Sequence, residues 1–167
     1  MLTLTQLRHR LREHSPRRLD PRDAKTAAVL IPFIESAEGL SLLFTLRPPN
    51  LGVHGGQVSF PGGRVDAEDT SRWETALREA QEEVGLNPDL VARLGILDDY
   101  ITITGYHVRP CVGLIAADTR LMPSPAEVER IFTVPLATLM DRTRQRTMQM
   151  LGPRGALRHV HFFHSTE

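Results

Sequence analysis

The segment from Phe60 to Leu86 constrains this chain most, because it joins a glycine-rich turn to one amphipathic helix. Ser71 and Glu74 have the S-x-x-E spacing of a capping box, so Ser71 is the predicted N-cap. Gly85 and the Asn-Pro pair that follows it predict the end of the helix. An apolar stripe at helical spacing predicts the face that packs on a core, and it consists of Trp73, Ala76, Leu77, Ala80 and Val84.

Three glutamates, Glu79, Glu82 and Glu83, occupy a neighbouring arc of the same predicted helix. At this spacing their Cβ atoms lie about 5–6 Å apart, so the like charges repel one another. Only Arg78 is close enough in the same turn to offset them. Clusters of carboxylate oxygens suit hard cations, which predicts a site for Mg²⁺ or Mn²⁺. The alternative interpretation is a solvated glutamate-rich face with arginine partners.

The same segment resembles the Nudix box, G-x5-E-x7-R-E-U-x-E-E-x-G-U, in which U is an apolar residue. The first acidic position of that pattern falls on Asp69 instead of glutamate, and the spacing from Asp69 to Arg78 is one residue longer. The matching positions are Gly63, Arg78, Glu79, Ala80, Glu82, Glu83, Gly85 and Leu86.

The resemblance implies a role for each polar residue of the box. Glu79 and Glu83 are the expected direct metal ligands, and Glu82 is expected to bind a second ion or to orient water. The carbonyl of Gly63 is the expected backbone ligand. Arg78 is counted among the expected catalytic residues. Its planar guanidinium is expected to orient the carboxylates, without itself reacting.

Residues before and after the box are similar to the signature of coenzyme A pyrophosphatases. The matching stretches are Leu42–Arg47, Gly56–Gly63 and the residues Thr104, Gly105, Tyr106, Val108 and Pro110. That subfamily usually has the longer loop before the helix, but it has arginine where this chain has Gly52. The resemblance implies metal-dependent hydrolysis of coenzyme A or its acyl forms to 3′,5′-ADP and 4′-phosphopantetheine. The alternatives are another nucleoside diphosphate-linked substrate, such as ADP-ribose or a dinucleotide, and a Nudix-fold module that binds without turnover.

The candidate substrate-binding residues flank the box. They are Arg47, His54, Arg64 and Tyr106. The loop that holds Arg47 and His54 is rich in proline and glycine, as loops that bind substrate often are. The alternatives are ordinary surface positions for Arg47 and His54, and a strand position at a sheet edge for Tyr106 and its neighbour His107.

Glu127 is the predicted fourth carboxylate or general base, with a helix N-terminal acid as its alternative. Residues 142–158 predict a hairpin whose arginines either face substrate phosphates or are solvated. The subfamily normally continues into a helix with Trp-Gly-x-Thr-Ala, which this sequence does not contain, because its only tryptophan is Trp73. The expected alternatives are a truncated chain and a sheet that is closed in another way, for example by a partner subunit in a homodimer.

The predicted fold is α/β, a Nudix-type α/β/α sandwich with a mixed β-sheet. Residues 1–167 are expected to form one Nudix domain, in which 1–25 are an N-terminal helix and connector and about 63–86 are the box. Continuous apolar runs predict strands at 26–34 and 107–116, and 40–46 should pair with the first of these as a hairpin. An alternating pattern predicts another strand at 90–97. Residues 127–136 resemble a common Nudix ending, in which an acidic residue is followed by a short apolar turn and a helix opened by proline.

Composition limits the classes of partner and the cellular compartment that are expected for this chain. The chain has 20 Lys and Arg and 20 Asp and Glu residues, so a zero net charge argues against a nucleic-acid or membrane-surface binder. Its single cysteine, Cys111, cannot form an internal disulfide and is expected to be an inert core thiol. Without a predicted signal peptide or membrane span, a cytoplasmic protein that acts on a small nucleotide is expected.

Overall fold

The computed structural model describes residues 2–20, 24–50, 55–102, 104–151 and 157–163. Three α-helices lie in this part of the chain, α1 (Leu4–Glu13), α2 (Arg72–Val84) and α3 (Leu136–Met140). The strands are β1 (Lys25–Ser36), β2 (Gly39–Leu46), β3 (Val58–Ser59), β4 (Gly62–Arg64), β5 (Ala92–Ile96), β6 (Tyr100–Ile101), β7 (Tyr106–Ile115), β8 (Arg130–Pro135), β9 (Gln145–Leu151) and β10 (Leu157–Phe163).

The main sheet is mixed and is built around β1, as its apolar sequence predicts. Its order is β3-β2-β1-β7-β5, in which β1 and β7 are parallel and the other pairings are antiparallel. The predicted hairpin is confirmed, since Ser36 pairs with Gly39 across a tight turn. Only the C-terminal half of β1 pairs with β2, and residues 27–29 pair instead with β4. The sheet therefore divides at the middle of β1.

Helices cover both faces of this sheet, which confirms the α/β/α sandwich. On one face, Ala76, Ala80 and Val84 of α2 are fully buried against Ala28 and Leu30 of β1. On the other face, leucines of α1 and α3 pack on a second cluster that includes Ile31, Phe33 and Val112. Burial of apolar area on both faces stabilises the long central strands β1 and β7.

The ends of α2 follow the sequence signals, with one difference. The side chain of Ser71 accepts a hydrogen bond from the backbone N–H of Glu74 at 3.2 Å, which confirms the N-cap. The carboxylate of Glu74 accepts from the N–H and hydroxyl of Thr70 instead of closing the capping box on Ser71. Gly85 ends the helix in a left-handed conformation, with φ 65°.

Several boundaries differ from the predictions. A turn of 3-10 helix at Pro88–Leu90 precedes β5, so the strand predicted from residue 90 begins at Ala92. The segment predicted as an apolar turn before α3 is the strand β8, which pairs with β2. The predicted C-terminal hairpin is confirmed, but β9 and β10 form a separate two-stranded sheet.

No helix in the described ranges has the length and apolar character needed to cross a bilayer.

A buried carboxylate that the sequence analysis missed connects the N-terminal connector to the sheet. Asp99 is 1% exposed and accepts hydrogen bonds from His107, from Arg18, from the N–H of Leu19 and twice from Arg109. The two bonds from Arg109 are 2.8 and 2.9 Å long. Although burial acts in the opposite direction, these donors hold the pKa of Asp99 well below its usual range. His107 is thus a structural residue of this cluster.

We predict that Asp99→Asn destabilises the fold by about 3 kcal/mol, because it leaves the guanidinium of Arg109 partly buried without its counter-charge. The thermal midpoint should fall by roughly 6–12 °C in differential scanning calorimetry at neutral pH. Asp98→Asn is the matched control, since Asp98 is adjacent and its side chain is 48% exposed. Equal midpoints for the two variants would contradict the assignment of Asp99 as a structural anchor.

Candidate active site

The division of the sheet opens a cavity of about 610 Å³ beside β1. The chain from Gln57 to Arg64 runs along the gap, where it pairs first with β2 and then with β1. Helix α2 follows this segment and contributes two carboxylates to the cavity, while the opposite wall comes from β6 and β7. The residues that line the cavity include Arg47, Gly63, Glu79, Glu83, Tyr106 and Glu127.

Two glycines bring the box loop close to both β1 and α2. Gly62 has φ +156°, and a Cβ there would collide with the backbone of Ala28 and Val29. A Cβ on Gly63 would occupy the position of the Glu79 carboxylate. The absence of a side chain at Gly62 therefore allows the loop to approach β1, and its absence at Gly63 makes room for the carboxylate of Glu79.

Glu83 is the most deeply buried acidic group of the cavity. Its carboxylate accepts a hydrogen bond from the N–H of Gly62 at 3.2 Å and lies 3.7 Å from the guanidinium of Arg47. Its side chain is 3% exposed, and its pKa is raised to about 7, chiefly by burial. The nearby charges of Glu79 and Glu127 also act to raise this pKa, whereas the N–H of Gly62 and the charge of Arg47 act to lower it. Glu83 is thus poised between its neutral and charged forms at neutral pH.

Glu79 lies one helical turn before Glu83 and lines the same cavity. Its side chain is 15% exposed, and burial raises its pKa although Arg78 contacts it at 3.1 Å. Two carboxylates with raised pKa values on one cavity form a site in which a cation is favourable.

Glu82 differs from its two neighbours. Its side chain is 55% exposed and forms an ion pair with Arg78 at 3.2 Å, and it is not among the described residues that line the cavity. Its roles as a metal ligand and as a catalytic residue stay predictions, since in this conformation only Glu79 and Glu83 of the helix face the cavity.

Arg78 is held by a network in which Asp69 is the main partner. Asp69 accepts from Nε and Nη2 of Arg78, both at 3.1 Å, and also from the hydroxyl of Thr75. The hydrogen bond from Arg78 holds the pKa of Asp69 at about 2. Arg78 also donates to the carbonyl of Arg64 at 2.9 Å. Asp69 therefore fixes the arginine that contacts Glu79.

Glu127 reaches the cavity from a turn that is fixed to the end of α2. The N–H groups of Met122 and Ser124 donate to the carbonyls of Val84 and Glu83, at 2.9 and 2.8 Å. Glu127 belongs to a turn and not to a helix, so the alternative of a helix N-terminal acid is wrong. The structure leaves its carboxylate exposed at the cavity edge, on the same cavity as Glu79 and Glu83.

Three of the four candidate substrate-binding residues lie on the cavity. Arg47, Arg64 and Tyr106 all line the cavity, whereas His54 and the subfamily difference at Gly52 lie outside the described residues. Arg78 is the cation that the same helical turn supplies to the glutamates, and Arg47 adds a contact with Glu83 from a segment remote in sequence. The cavity lining in the described ranges includes no residue of the C-terminal hairpin.

The donor set fits a divalent cation in part. In the described part of the chain no three acidic, histidine or cysteine side chains converge closely enough to define a metal centre. The fit comes instead from the buried carboxylate of Glu83, the partly buried carboxylate of Glu79, and the glycine loop that contacts both of them. Hard oxygen ligands, together with water and substrate phosphate, are the usual coordination of Mg²⁺.

Cys111 takes no part in this site. It is 1% exposed, and burial raises the pKa of its thiol to about 11. The prediction of an inert core thiol is confirmed.

Comparison with known proteins agrees with this geometry. The NUDIX domain family matches residues 24–151. The chain is 48% identical over 120 residues to the uncharacterized Nudix hydrolase NudL of Pectobacterium atrosepticum, covering 72% of this chain and 62% of that protein. It is 42% identical over 126 residues to the NudL protein of Escherichia coli O7:K1, covering 75% of this chain and 65% of that protein. The chain thus spans less than two thirds of the length of these relatives.

Solved structures show the same fold at low identity. A Nudix hydrolase of M. smegmatis, RenU, has a TM-score of 0.59 with 20% identity, covering 71% of this chain and 74% of that chain. A binary complex of the C. elegans Ap4A hydrolase has a TM-score of 0.57 with 18% identity, covering 70% of this chain and 83% of that chain. The match over most of the sequence, the relatives above 40% identity and the common fold together show that this chain belongs to the Nudix family.

Proposed function

We propose that this chain hydrolyses the diphosphate bond of a nucleoside diphosphate linked to a second group, in a reaction that depends on Mg²⁺ or Mn²⁺. The observation that carries the proposal is the placement of Glu79 and Glu83, whose pKa values are raised by burial, on one cavity beside a glycine loop. A buried carboxylate without a matching cation is costly, so its presence on an accessible cavity favours a ligand that carries positive charge.

Glu79, Glu83 and the carbonyl of Gly63 are the residues proposed to hold the ion, with Glu82 as a further ligand after a side-chain rotation. A bound divalent ion supplies neutralisation of phosphate charge and acidification of a water molecule. The protein itself holds the metal-binding carboxylates in position. Arg78 orients Glu79, Asp69 fixes Arg78, and Gly62 fixes Glu83 through its N–H.

Glu127 is proposed to accept the proton of the attacking water, with Glu82 as the alternative base. Its exposed carboxylate lies at the cavity edge, where water and substrate meet, and its turn is fixed by backbone hydrogen bonds. Arg47, Arg64 and Tyr106 are proposed to hold the nucleotide, because they bring two cations and an aromatic ring to the same cavity.

At the finer level, we propose coenzyme A or an acyl derivative as the substrate, cleaved to 3′,5′-ADP and 4′-phosphopantetheine. Support comes from the residues around the box that resemble coenzyme A pyrophosphatases, of which Arg47, Gly63 and Tyr106 line the cavity. ADP-ribose and dinucleotides are the competing substrates, and binding without turnover is the competing function. We further propose a cytoplasmic location and a homodimer.

Product analysis tests the substrate. The purified chain should release 3′,5′-ADP from coenzyme A in the presence of Mg²⁺ or Mn²⁺ and release none with a chelator, as measured by chromatography of the nucleotides. Parallel reactions contain ADP-ribose and diadenosine polyphosphate. Cleavage of these compounds but not of coenzyme A would retain the chemistry and reject the substrate. Metal binding without any cleavage would favour the binding module.

We predict that Glu83→Gln lowers kcat by at least about 100-fold, because the loss of a metal-binding carboxylate should exceed the 10–100-fold cost of losing an outer partner. Calorimetric titration with Mn²⁺ should show weaker binding, and circular dichroism should show an unchanged fold. Glu74→Gln is the matched control, since Glu74 lies on the same helix but bonds to Thr70 away from the cavity. Near-normal activity of Glu83→Gln would reject the metal assignment.

A pH prediction follows from the raised pKa of Glu83. Its folded pKa of about 7 exceeds the ordinary value of 4.5, so the folded state binds the proton more tightly than the unfolded state. Without metal, the protein should therefore lose stability as pH rises from about 4.5 through 7, by up to about 3 kcal/mol from this group.

Thermal unfolding between pH 5 and pH 8 in a chelating buffer measures this effect. The fall in midpoint should be smaller in Glu83→Gln than in the wild-type protein, and Mn²⁺ should restore the wild-type midpoint at pH 8. Parallel pH profiles for the two proteins would show that Glu83 is not the titrating group.

A further inference from the structure

We propose that Arg47 is an exchangeable internal cation, which holds Glu83 when no metal is bound and is released by metal binding to take the diphosphate of the nucleotide. The inference rests on the proposed function, and it adds a coupling between the metal and the nucleotide that passes through this side chain.

The contact between Arg47 and Glu83 is close enough for charge attraction but too long for a hydrogen bond. Nη1 of Arg47 lies 3.7 Å from Oε1 of Glu83, whereas charge-assisted hydrogen bonds are about 2.7–2.9 Å long. Nε of Arg47 is buried and has no hydrogen-bond partner in the described part of the chain. A buried donor without a partner is unfavourable. Among the described residues, Glu83 is thus the charged partner that holds this guanidinium.

The backbone around Arg47 is fixed, so the side chain can change its partner without moving the strand. The N–H of Arg47 donates to the carbonyl of Gln57 at 3.0 Å, and its carbonyl accepts from the N–H of Gly56 at 3.1 Å. Arg47 follows directly after β2, and its side chain is 28% exposed at the cavity.

Arg78 is the contrasting cation of the site. Its guanidinium contacts four carboxylates and the carbonyl of Arg64, and two of its hydrogen bonds to Asp69 are 3.1 Å long. Such a network fixes the side chain in one position. Arg47 has one long ion-pair contact and one unpaired donor in the described ranges, so it is the arginine that can exchange.

A divalent ion beside Glu83 would compete with the guanidinium for the same carboxylate and would repel it. The displaced guanidinium remains on a cavity that also contains Arg64 and Tyr106, where a diphosphate would be the new partner. Since coupling between two ligands is reciprocal, the nucleotide should also favour the metal by removing Arg47 from Glu83.

Equilibrium binding to the full chain tests the proposal without turnover. Mn²⁺ affinity is measured by electron paramagnetic resonance at pH 8, and affinity for α,β-methylene-ADP by calorimetry, with and without Mn²⁺. The variants are Arg47→Ala and Arg47→Lys, which keeps the charge. Arg64→Ala is the matched control, because Arg64 lines the same cavity and has no ion pair with a glutamate in the described part of the chain.

Arg47→Ala should bind Mn²⁺ about fivefold more tightly in the absence of nucleotide, because its internal competitor is gone. It should bind α,β-methylene-ADP at least about fivefold more weakly with Mn²⁺ and nearly normally without it, since Arg47 is engaged with Glu83 when metal is absent. Arg47→Lys should stay close to wild-type Mn²⁺ affinity. Arg64→Ala should weaken the nucleotide equally with and without Mn²⁺.

Unchanged or weaker Mn²⁺ binding by Arg47→Ala would overturn the exchange, and so would an equal loss of nucleotide affinity with and without metal. Failure of the proposed function gives a different pattern. In that case the wild-type protein would not bind Mn²⁺, or Glu83→Gln would bind it as well as the wild-type protein does.

Discussion

The buried carboxylate of Glu83 is the constraint on which the site depends. Placing this group at 3% exposure, where its pKa rises to about 7, works against the stability of the fold at neutral pH. The surroundings offset this cost only in part, through one N–H from Gly62 and a long contact with Arg47. Such a buried carboxylate with incomplete compensation is a common property of functional sites.

Gly62, Gly63 and the division of the sheet allow the loop before α2 to lie close to the carboxylates of the cavity. Because β1 leaves β2 and pairs with β4 over residues 27–29, the box loop lies within the sheet and not above it. Gly62 approaches the backbone of β1, and the Cα of Gly63 leaves room for the carboxylate of Glu79. Helix α2 can therefore bury its apolar face on the sheet while one edge carries carboxylates into the cavity.

Two networks keep the rest of the site in place. Asp69 fixes Arg78, which contacts Glu79, and Asp99 accepts hydrogen bonds from Arg18, His107 and Arg109. Both aspartates have depressed pKa values, because their hydrogen-bond donors outweigh the effect of burial. The two aspartates therefore differ from Glu79 and Glu83, whose pKa values are raised on the cavity.

Local signals in the sequence determined much of this protein. Helical spacing, the Ser71 cap and Gly85 predicted α2 and its buried stripe, and apolar runs predicted β1, β2 and β7, because these features depend on neighbours along the chain. Tertiary structure alone decided which glutamates face the cavity. Glu82 belongs to the same arc as Glu79 and Glu83, but it is exposed and pairs with Arg78, while Arg47 reaches Glu83 from the end of β2. The anchoring roles of Asp69 and Asp99 depend on partners remote in sequence or on burial, neither of which residue spacing specifies.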